Sequence, residues 1–199
     1  MSEVIITGIP HTGLTFPYGA YEENTRILEV GCGAERLYSI SVTLDKNTVH
    51  HPDIAHDLEE TPYPFPDESF HFIVCRHVLE HVRHFVPAVT ELHRILKPGG
   101  IIYVEAPYFS SVHAYTDPTH VRFFTSRSFD YFLEGSPLTA FGYSPARFQR
   151  IEFEIVVPGD NLLSQLVRRL IHRNMKRYEE RWAYIFPRHT IRYHLFKER

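Results

Sequence analysis

The chain lacks a long apolar run, is poor in cysteine and has little net charge. Its 199 residues include 2 cysteines, and 21 Lys and Arg nearly balance 24 Asp and Glu, for a formal net charge of −3. No apolar run approaches the roughly 18 residues of a membrane span. Met1 to Pro10 has no basic stretch followed by an apolar one, so we expect no signal peptide. We therefore expect a cytoplasmic protein with reduced thiols at Cys32 and Cys75.

Charge is unevenly distributed along the chain. Residues 1–146 carry 9 Lys and Arg against 18 Asp and Glu, whereas residues 147–199 carry 12 against 6. A basic tail can mark a nucleic-acid or anionic-membrane partner. It can equally dock on its own acidic body or on a second subunit. We favour these last two and expect no nucleic-acid partner.

Short stretches rich in β-branched and aromatic residues predict seven strands, at Arg26–Val30, Ser39–Leu44, Asp53–His56, Phe70–Cys75, Ile101–Glu105, Arg150–Val157 and Thr190–Phe196. Three helices are predicted. The first spans Val78–Leu96 and is ended by Lys97 to Gly100, and the second spans Ser126–Leu133 with Thr125 as N-cap. The third spans Asn161–Trp182 and has an apolar stripe opposite a basic face. Strands that alternate with helices predict an α/β fold, here a doubly wound, mostly parallel seven-stranded sheet.

The first two crossovers are too short for ordinary helices. Five residues separate Gly33 from Ser39, and seven separate Asp45 from Asp53. Because a parallel crossover normally needs a dozen residues or more, the first crossover helices must be shortened to turns. The sheet face beside strands one to three then needs another cover: the helix of residues 161–182, the N-terminal segment or a second subunit. For this reason we also expect a homodimer.

A glycine-rich turn follows the first strand. The segment Ile27 to Gly33 reads Ile-Leu-Glu-Val-Gly-Cys-Gly, and its two glycines can take positive φ or admit a ligand close to the backbone. At the carboxyl edge of a parallel sheet such a turn binds nucleotide-like ligands, although an ordinary strand–turn has the same pattern. The third glycine of the dinucleotide fingerprint is replaced by Arg36, which disfavours an NAD-type dehydrogenase.

Two acidic positions follow the next strands. Asp45 comes directly after strand two, where an acid can accept hydrogen bonds from both hydroxyls of a ribose. Asp57 and Leu58 follow strand three, and a carboxylate beside an apolar side chain suits the exocyclic amine and the face of a purine. Each acid is also compatible with an ordinary turn aspartate.

Taken together, these segments resemble a class I S-adenosylmethionine-dependent methyltransferase. The resemblance covers residues 26–133, and its matching segments are Ile27 to Gly33, Asp45, His56 to Leu58, Phe65 to Phe70, Cys75 to Val82 and Glu91 to Gly100. Two departures are Glu35, where the family has a further glycine, and the near-deletion of the following helix.

The resemblance implies specific roles for the residues that match it. Gly31, Cys32 and Gly33 would hold the methionine part of S-adenosylmethionine, with Glu29 near its ammonium group. Asp45 would hold the ribose and Asp57 the adenine amine, with Leu58 against the ring. The backbone around Arg76 and His77 would close over the methionine end. The resemblance also implies that the last two strands pair with strand five, one of them antiparallel.

The segment after strand five is the most individual part of the sequence. It contains His113, Asp117 and His120 at the carboxyl end of the sheet, where an acceptor would meet the cofactor. Methyl transfer to O or N requires loss of a proton, and histidine has a suitable pKa near neutral pH. His113 or His120 is therefore a candidate general base, with Asp117 orienting it. These three residues could also ligate a metal or only brace the loop. The Asp-Pro-Thr-His stretch resembles a subgroup of these enzymes.

Residues 77–81 also fit the H-x-x-E-H pattern of inverted zinc proteases. Two histidines four apart on a helix, His77 and His81, could share a zinc ion with Glu80 as base. The pattern begins at the tip of a predicted buried strand, however, and lies within the methyltransferase series. We therefore expect packing hydrogen bonds from His81 and no resident metal.

The resulting hypothesis is a single domain over residues 1–199 that transfers a methyl group from S-adenosylmethionine to O or N of a small or medium acceptor. Residues 1–25, with Tyr18 and Tyr21, form a lid or loop; residues 26–133 form the cofactor-binding core; residues 134–199 add strands and a basic helix. The alternative hypothesis is a catalytically silent, cofactor-binding regulatory or assembly subunit. The sequence does not identify the acceptor.

Overall fold

The computed structural model describes residues 24–34, 36–157, 159 and 161–198. Within these ranges seven strands form one sheet: β1 Ile27–Val30, β2 Val42–Asp45, β3 Ile54–Ala55, β4 Phe70–Arg76, β5 Leu96–Pro107, β6 Gln149–Ile155 and β7 Thr190–Phe196. Their order is β3-β2-β1-β4-β5-β7-β6. The α/β fold with a mostly parallel seven-stranded sheet is therefore confirmed. The proposed N-terminal lid, with Tyr18 and Tyr21, lies almost entirely outside the described residues.

The pairing of the last two strands differs from the expectation. Strands β1 to β5 run parallel to one another, and β7 pairs with β5 in the antiparallel direction. β6 pairs with β7, also antiparallel, and not with β5. The chain forms the edge strand β6 first and then returns to form β7 between β6 and β5. The periodicity of the two strands does not encode this order.

Helix α1 spans Phe85–Ile95 and begins seven residues later than the apolar spacing predicts. Pro87 explains the difference, because a proline inside a longer helix removes a hydrogen bond to the carbonyl four residues earlier and clashes with it. That carbonyl belongs to Arg83, and it accepts a hydrogen bond from Arg122 Nη2 instead (2.6 Å). Leu79–His81 forms a 3₁₀ turn. The end at Ile95, just before Lys97 to Gly100, agrees with the predicted stop.

The predicted helix at Ser126–Leu133 is wrong. Only Asp130–Phe132 is helical there, as a 3₁₀ turn. Phe129 and Phe132 are both buried, and a 3₁₀ turn aligns residues three apart on one side. A short helix that was not predicted, α2, spans His113–Thr116 after β5.

The predicted helix at residues 161–182 is divided in two. α3 spans Leu162–Arg173 and α4 spans Met175–Arg181, and the side chain of Asn174 between them accepts a hydrogen bond from the Arg177 amide (3.1 Å). Asparagine is a preferred N-cap, so it starts a second helix where the periodic pattern shows a continuous one. No helix of the described ranges is long and apolar enough to cross a membrane.

Only part of the apolar stripe of α3 and α4 is buried. Ile171 and Tyr178 belong to the core. The first half of the stripe is exposed, at 84% for Leu162, 68% for Leu163, 53% for Leu166 and 58% for Leu170. A row of leucines on the surface is unusual in a monomer and marks a candidate contact surface.

The first crossovers are shortened as predicted. In the part of the chain that the structure describes, no helix joins β1 to β2, and only the 3₁₀ turn Thr48–His50 lies between β2 and β3. The turn after β1 itself contributes cover for the adjacent sheet face: Tyr38, 3% exposed, clusters with Ile27, Phe72 and Tyr103. α3 and α4 pack on the other face, since their buried residues cluster with Leu28 and its neighbours. The helix of residues 161–182 is therefore not the missing cover.

Candidate functional site

A cavity of about 820 Å³ opens at the carboxyl ends of β1, β2, β3 and β4. The strand order reverses between β1 and β4, and ligands of open α/β sheets bind in the crevice at such a switch point. The cavity is lined by six of the nine predicted cofactor-binding residues, namely Gly31, Gly33, Asp45, Asp57, Leu58 and His77. Its volume lies within the range of small-molecule and cofactor sites.

The two glycines of the turn after β1 have different surroundings. Gly31 has φ +67°, and a Cβ built on it would lie 2.4 Å from Val78 Cγ2. Gly33 has φ +55°, but a Cβ there would have no atom within 4 Å. The Gly31 amide donates to the Leu44 carbonyl (2.8 Å), and the Gly33 amide donates to Asp45 Oδ2 (3.0 Å). The turn is thus tied to β2 and leaves open space over Gly33, where a ligand can approach the backbone.

The acids after β2 and β3 reach the cavity while they organise their own turns. Asp45 Oδ1 accepts from the Asn47 amide (2.8 Å), and Asp57 Oδ1 accepts from the Glu59 amide (3.1 Å). A carboxylate has about four acceptor positions, so each retains capacity for a ligand donor. Leu58, which follows Asp57 directly, also lines the cavity. A ribose and a purine amine can be recognised by this arrangement.

Glu29 serves the turn after β1. It is 2% exposed, and its carboxylate accepts hydrogen bonds from the Leu37 and Tyr38 amides (2.8 Å each) and from Ser41 Oγ (2.5 Å). These three bonds hold the short connection that replaces a crossover helix. The proposed contact between Glu29 and the cofactor ammonium stays a prediction.

The three other predicted cofactor residues line a smaller cleft next to the main cavity. Glu29, Cys32 and Arg76 surround about 200 Å³, together with Gly31 and His77, which belong to both spaces. Burial, with Asp45 nearby, raises the pKa of Cys32, which therefore favours the thiol form. The predicted residues thus form two adjoining groups that meet at Gly31 and His77.

His77 lies between two buried carboxylates and has φ +49°, which is rare for a residue with a side chain. Its Nε2 is 3.4 Å from Glu105 Oε1 and its Nδ1 is 3.5 Å from Glu80 Oε1. The Glu105 and Glu80 carboxylates raise the pKa of His77 to about 9. His77 is therefore an imidazolium at neutral pH, and it places a positive charge at the meeting point of the two clefts.

Glu105 begins a row of alternating charges across the sheet. Its carboxylate accepts from Tyr103 Oη and from Arg192 Nε (2.7 Å each). Burial by itself raises the pKa of Glu105, but the hydrogen bonds from His77, Tyr103 and Arg192 outweigh it and hold this pKa far below its usual range. Beyond Arg192 the row continues through Glu154, at 3.3 Å, to Arg168 of α3, at 3.7 Å. We call His77, Glu105, Arg192, Glu154 and Arg168 the charge row.

A second, shallower cleft of about 480 Å³ adjoins the main cavity and contains the predicted catalytic residues. His113 is exposed, with its ring centroid 5.6 Å from that of His189. The Asp117 carboxylate accepts from the Thr119 amide and hydroxyl (2.8 and 2.6 Å), and the ring of His120 bonds through Nδ1 to the Ala114 carbonyl (3.1 Å). The role of Asp117 in orienting a histidine base stays a prediction; in this structure the Nδ1 partner of His120 is a backbone carbonyl.

Several residues of the main cavity were missed by the sequence reasoning. Lys46 and Asn47 follow Asp45 directly, and their position at the strand end was the available signal. Glu59 also lines the cavity, and its carboxylate accepts from the Arg83 and His84 amides (2.5 and 3.0 Å). No local pattern links residue 59 to a turn 24 residues later.

Comparison with known proteins agrees with this geometry. The family described as "Methyltransferase domain" matches residues 28–104, which run from β1 into β5. A comparison with curated proteins returned no match. A solved S-adenosylmethionine-dependent methyltransferase from Archaeoglobus fulgidus superposes with a TM-score of 0.54 at 18% identity, over 87% of this chain and 86% of that one.

Two further structures show how wide the likeness is. The [4+2]-cyclase SpnF has a TM-score of 0.55 at 18% identity, over 87% of this chain and 74% of its own. Phosphoethanolamine N-methyltransferase 2 of Haemonchus contortus, solved with S-adenosyl-L-methionine, has a TM-score of 0.54 at 16% identity. The superposition covers 88% of this chain and 49% of that protein. The fold is that of the class I methyltransferases, and the domain match supports S-adenosylmethionine as the cofactor.

Proposed function

We propose that the protein is an S-adenosylmethionine-dependent methyltransferase that acts on O or N of a small or medium acceptor. The observation that carries the proposal is the cavity at the β1/β4 switch point, where a glycine turn and the acids after β2 and β3 meet. The methyltransferase-domain match over residues 28–104 supports it. Fold likeness alone would not, because one superposing structure is a cyclase.

The described residues fit the cofactor. The space over Gly33 admits a ligand against the backbone. Asp45 and Asp57 retain acceptor positions for the ribose hydroxyls and the adenine amine, and Leu58 offers an apolar surface to the ring. When bound, the cofactor supplies an electrophilic methyl group on a sulfonium. We assign Gly31, Cys32, Gly33, Arg76 and His77 to its methionine end, with Glu29 near its ammonium group.

The acceptor cleft adjoins the cofactor cavity, since His77, His81 and Pro118 line both. Methyl transfer needs the acceptor atom in line with the methyl group and needs a proton removed. In our proposal His113 and His120 are the candidate bases. His113 is exposed to the cleft, whereas the side chain of His120 is 9% exposed.

Calorimetry with S-adenosylmethionine and S-adenosylhomocysteine tests the proposal. We expect both to bind the wild-type protein, and Asp45→Asn to bind them at least about tenfold more weakly, because a charge-assisted hydrogen bond contributes roughly 1.5–3 kcal/mol. Glu60→Gln, an exposed carboxylate outside the cavity, serves as the matched control. A wild-type protein that binds neither compound would contradict the proposal.

The same preparation separates an enzyme from a silent subunit. With labelled cofactor and a cell extract as the source of acceptors, we expect methyl transfer that falls by roughly a hundredfold or more in His113→Ala or His120→Ala, the range of general-base catalysis. Cofactor binding without any transfer, unchanged in both variants, would favour the regulatory or assembly subunit.

We also propose a cytoplasmic homodimer that does not act on nucleic acid. Several basic residues of the C-terminal quarter are engaged by carboxylates of residues 1–146, among them Arg150 with Asp130 and Arg192 with Glu105. This supports docking of the tail on its own body. Both cysteines are free thiols, which supports a reducing compartment.

The exposed leucines of α3 support the dimer and give its test. By light scattering we expect twice the 23.4 kDa chain mass. Leu166→Asp combined with Leu170→Asp should give a monomer, because charges cannot be buried unpaired in an apolar contact. Val49→Asp replaces an equally exposed apolar residue away from α3 and should leave the dimer intact. A wild-type monomer at working concentration would contradict the proposal.

A further inference from the structure

Glu80, His81 and His120 come together between the cofactor cavity and the acceptor cleft. One ligand atom from each lies within 4.8 Å of the other two, and the imidazole ring centroids are 4.7 Å apart. The two histidine patterns of the sequence, H-x-x-E-H at residues 77–81 and the segment 113–120, did not group these three residues. The H-x-x-E-H pattern paired His77 with His81, but residues 79–81 form a 3₁₀ turn and His77 is engaged by two carboxylates. The segment 113–120 contributes only His120.

The two segments that carry these side chains are fixed to each other. The Val121 and Arg122 amides donate to the Glu80 carbonyl (2.9 and 3.1 Å). The Arg122 guanidinium donates to the carbonyls of Val82 and Arg83 (2.9 and 2.6 Å). The relative positions of Glu80, His81 and His120 are therefore set by backbone hydrogen bonds and do not depend on their own contacts.

Hydrogen bonds also set the tautomers of both histidines. The Thr119 hydroxyl donates its hydrogen to Asp117 (2.6 Å), so its oxygen can accept a hydrogen bond from His81 Nδ1–H (2.8 Å). His120 Nδ1 donates to the Ala114 carbonyl (3.1 Å). In the tautomers that these bonds favour, Nε2 of each ring is left as the atom that can bind a ligand. An Nδ1–H bonded to a carbonyl or to a carboxylate-linked group is the usual support of a metal-binding histidine.

Glu80 lacks a hydrogen-bond donor of its own. It is 1% exposed, and neither carboxylate oxygen has a hydrogen-bond partner. His77 Nδ1 lies 3.5 Å from Oε1, but that imidazolium is shared with Glu105, and His120 Nε2 lies 3.9 Å from the same oxygen. Both of these nitrogens face Oε1, so Oε2 is a buried carboxylate oxygen without a hydrogen-bond partner, which is unfavourable unless it binds a further positively charged group.

We propose that Glu80, His81 and His120 bind a divalent transition-metal ion, with zinc as the best fit. Two imidazoles and one carboxylate with an open position form a known kind of zinc site, whereas magnesium prefers oxygen ligands. Metal–ligand bonds of about 2.0–2.2 Å reach ligand atoms up to roughly 4 Å apart, so the three side chains need to close only slightly. This replaces the expectation of a protein without a metal site.

The site also indicates an acceptor class, an inference that rests on the proposed function. Glu80, His81 and His120 all line the cleft that contains His113, so a metal held by them would bind an acceptor oxygen in that cleft and lower the pKa of its hydroxyl. With His120 bound to the metal, the hydroxyl proton would pass to His113, the other candidate base. The oxygen would form the bond to the methyl carbon as the carbon–sulfur bond breaks and S-adenosylhomocysteine leaves. We therefore infer a hydroxylated acceptor with a second, metal-coordinating oxygen.

Zinc titration of the full chain, stripped with a chelator, tests the site. We expect one equivalent of Zn²⁺ to bind, with affinity at least about 100-fold lower in His81→Ala/His120→Ala, because two of the three ligands are removed. Glu80→Gln keeps the side-chain volume and should also bind more weakly. His113→Ala, a histidine of the same cleft outside the group, should bind like the wild type. Circular dichroism checks that each variant folds.

The chain has 14 histidines, which could bind metal weakly at the surface. Substitution with cobalt gives a second readout that such weak surface binding does not produce. Visible absorption bands of four- or five-coordinate Co²⁺ should appear in the wild type and in His113→Ala, but not in Glu80→Gln or in the double variant. Equal metal affinity in wild type and double variant would mean adventitious binding only and would overturn the site. If the double variant does not fold, Glu80→Gln decides the question.

The outcomes for the metal and for the cofactor are separable. Calorimetry with S-adenosylhomocysteine on the stripped protein reports on the cofactor cavity alone. Cofactor binding without specific zinc binding would overturn the metal site and leave the proposed function standing. Specific zinc binding without cofactor binding would leave the metal site standing and overturn the proposed function, and with it the inference about the acceptor.

Discussion

Gly33→Ala is expected to remove cofactor binding while the fold survives. A methyl group at this position meets no protein atom within 4 Å, so the cost to stability is the positive φ of +55°, roughly 1–2 kcal/mol. The same methyl group would occupy the space in which we place the methionine end of the cofactor. We expect calorimetric affinity for S-adenosylhomocysteine to fall by about 100-fold, some 2.7 kcal/mol.

Gly31→Ala is the matched variant for this experiment. Its Cβ would lie 2.4 and 2.6 Å from Val78 Cγ2 and Cβ, and a β-branched side chain cannot rotate away from both contacts. We expect a loss of about 2–4 kcal/mol in the free energy of unfolding, from overpacking and the positive φ together. If Gly33→Ala binds cofactor like the wild type, the assignment of the turn is wrong.

Glu29→Ala should cost more stability than any other single change to the turn. It leaves the Leu37 and Tyr38 amides without their acceptor, whereas Ser41 Oγ can still donate to the Tyr38 carbonyl (2.8 Å). Each unsatisfied buried group costs roughly 1–3 kcal/mol, so we expect a loss of about 3–4 kcal/mol and a melting temperature lower by about 10 °C. Thermal and urea unfolding measure both quantities.

Two comparisons sharpen this result. Glu60→Ala removes an exposed carboxylate and should change the free energy of unfolding by no more than about 0.5 kcal/mol. Glu29→Gln keeps one acceptor oxygen and should fall between the two. A Glu29→Ala protein as stable as Glu60→Ala would contradict the role of Glu29 in holding the short β1–β2 connection.

Local patterns were sufficient for the features that depend on neighbouring residues. The strands, the glycine turn and the shortened crossovers follow from composition and spacing along Ile27 to Asp53. The start of α1 was also encoded locally, because Pro87 excludes a helix that begins at Val78, but the apolar periodicity of that stretch outweighed it in the prediction. The break at Asn174 has the same origin, since an N-cap residue inside a periodic stripe is easily read as part of one helix.

The features that were missed depend on contacts between distant segments. The order of β7 and β6 in the sheet is not visible in either strand. Predicted cofactor residues at strand ends converge because a parallel sheet brings all such ends to one edge. The grouping of Glu80 with His120, by contrast, depends on backbone hydrogen bonds between turns 40 residues apart. Motif spacing therefore proposed histidine partners that the folded chain does not use.

The charge row has a consequence for how the sequence can vary. Glu105, Arg192 and Glu154 each lie between two charges of the opposite sign. Replacing one member leaves a neighbour partly buried without its counter-charge, whereas replacing two adjacent members by apolar residues of similar volume removes the problem together with the charges. The energies of single substitutions in this row will therefore not add. Among homologous chains, Glu105 and Arg192 should be exchanged as a pair, which makes the two positions a covarying unit that links the edge of the cofactor site to the outer strand.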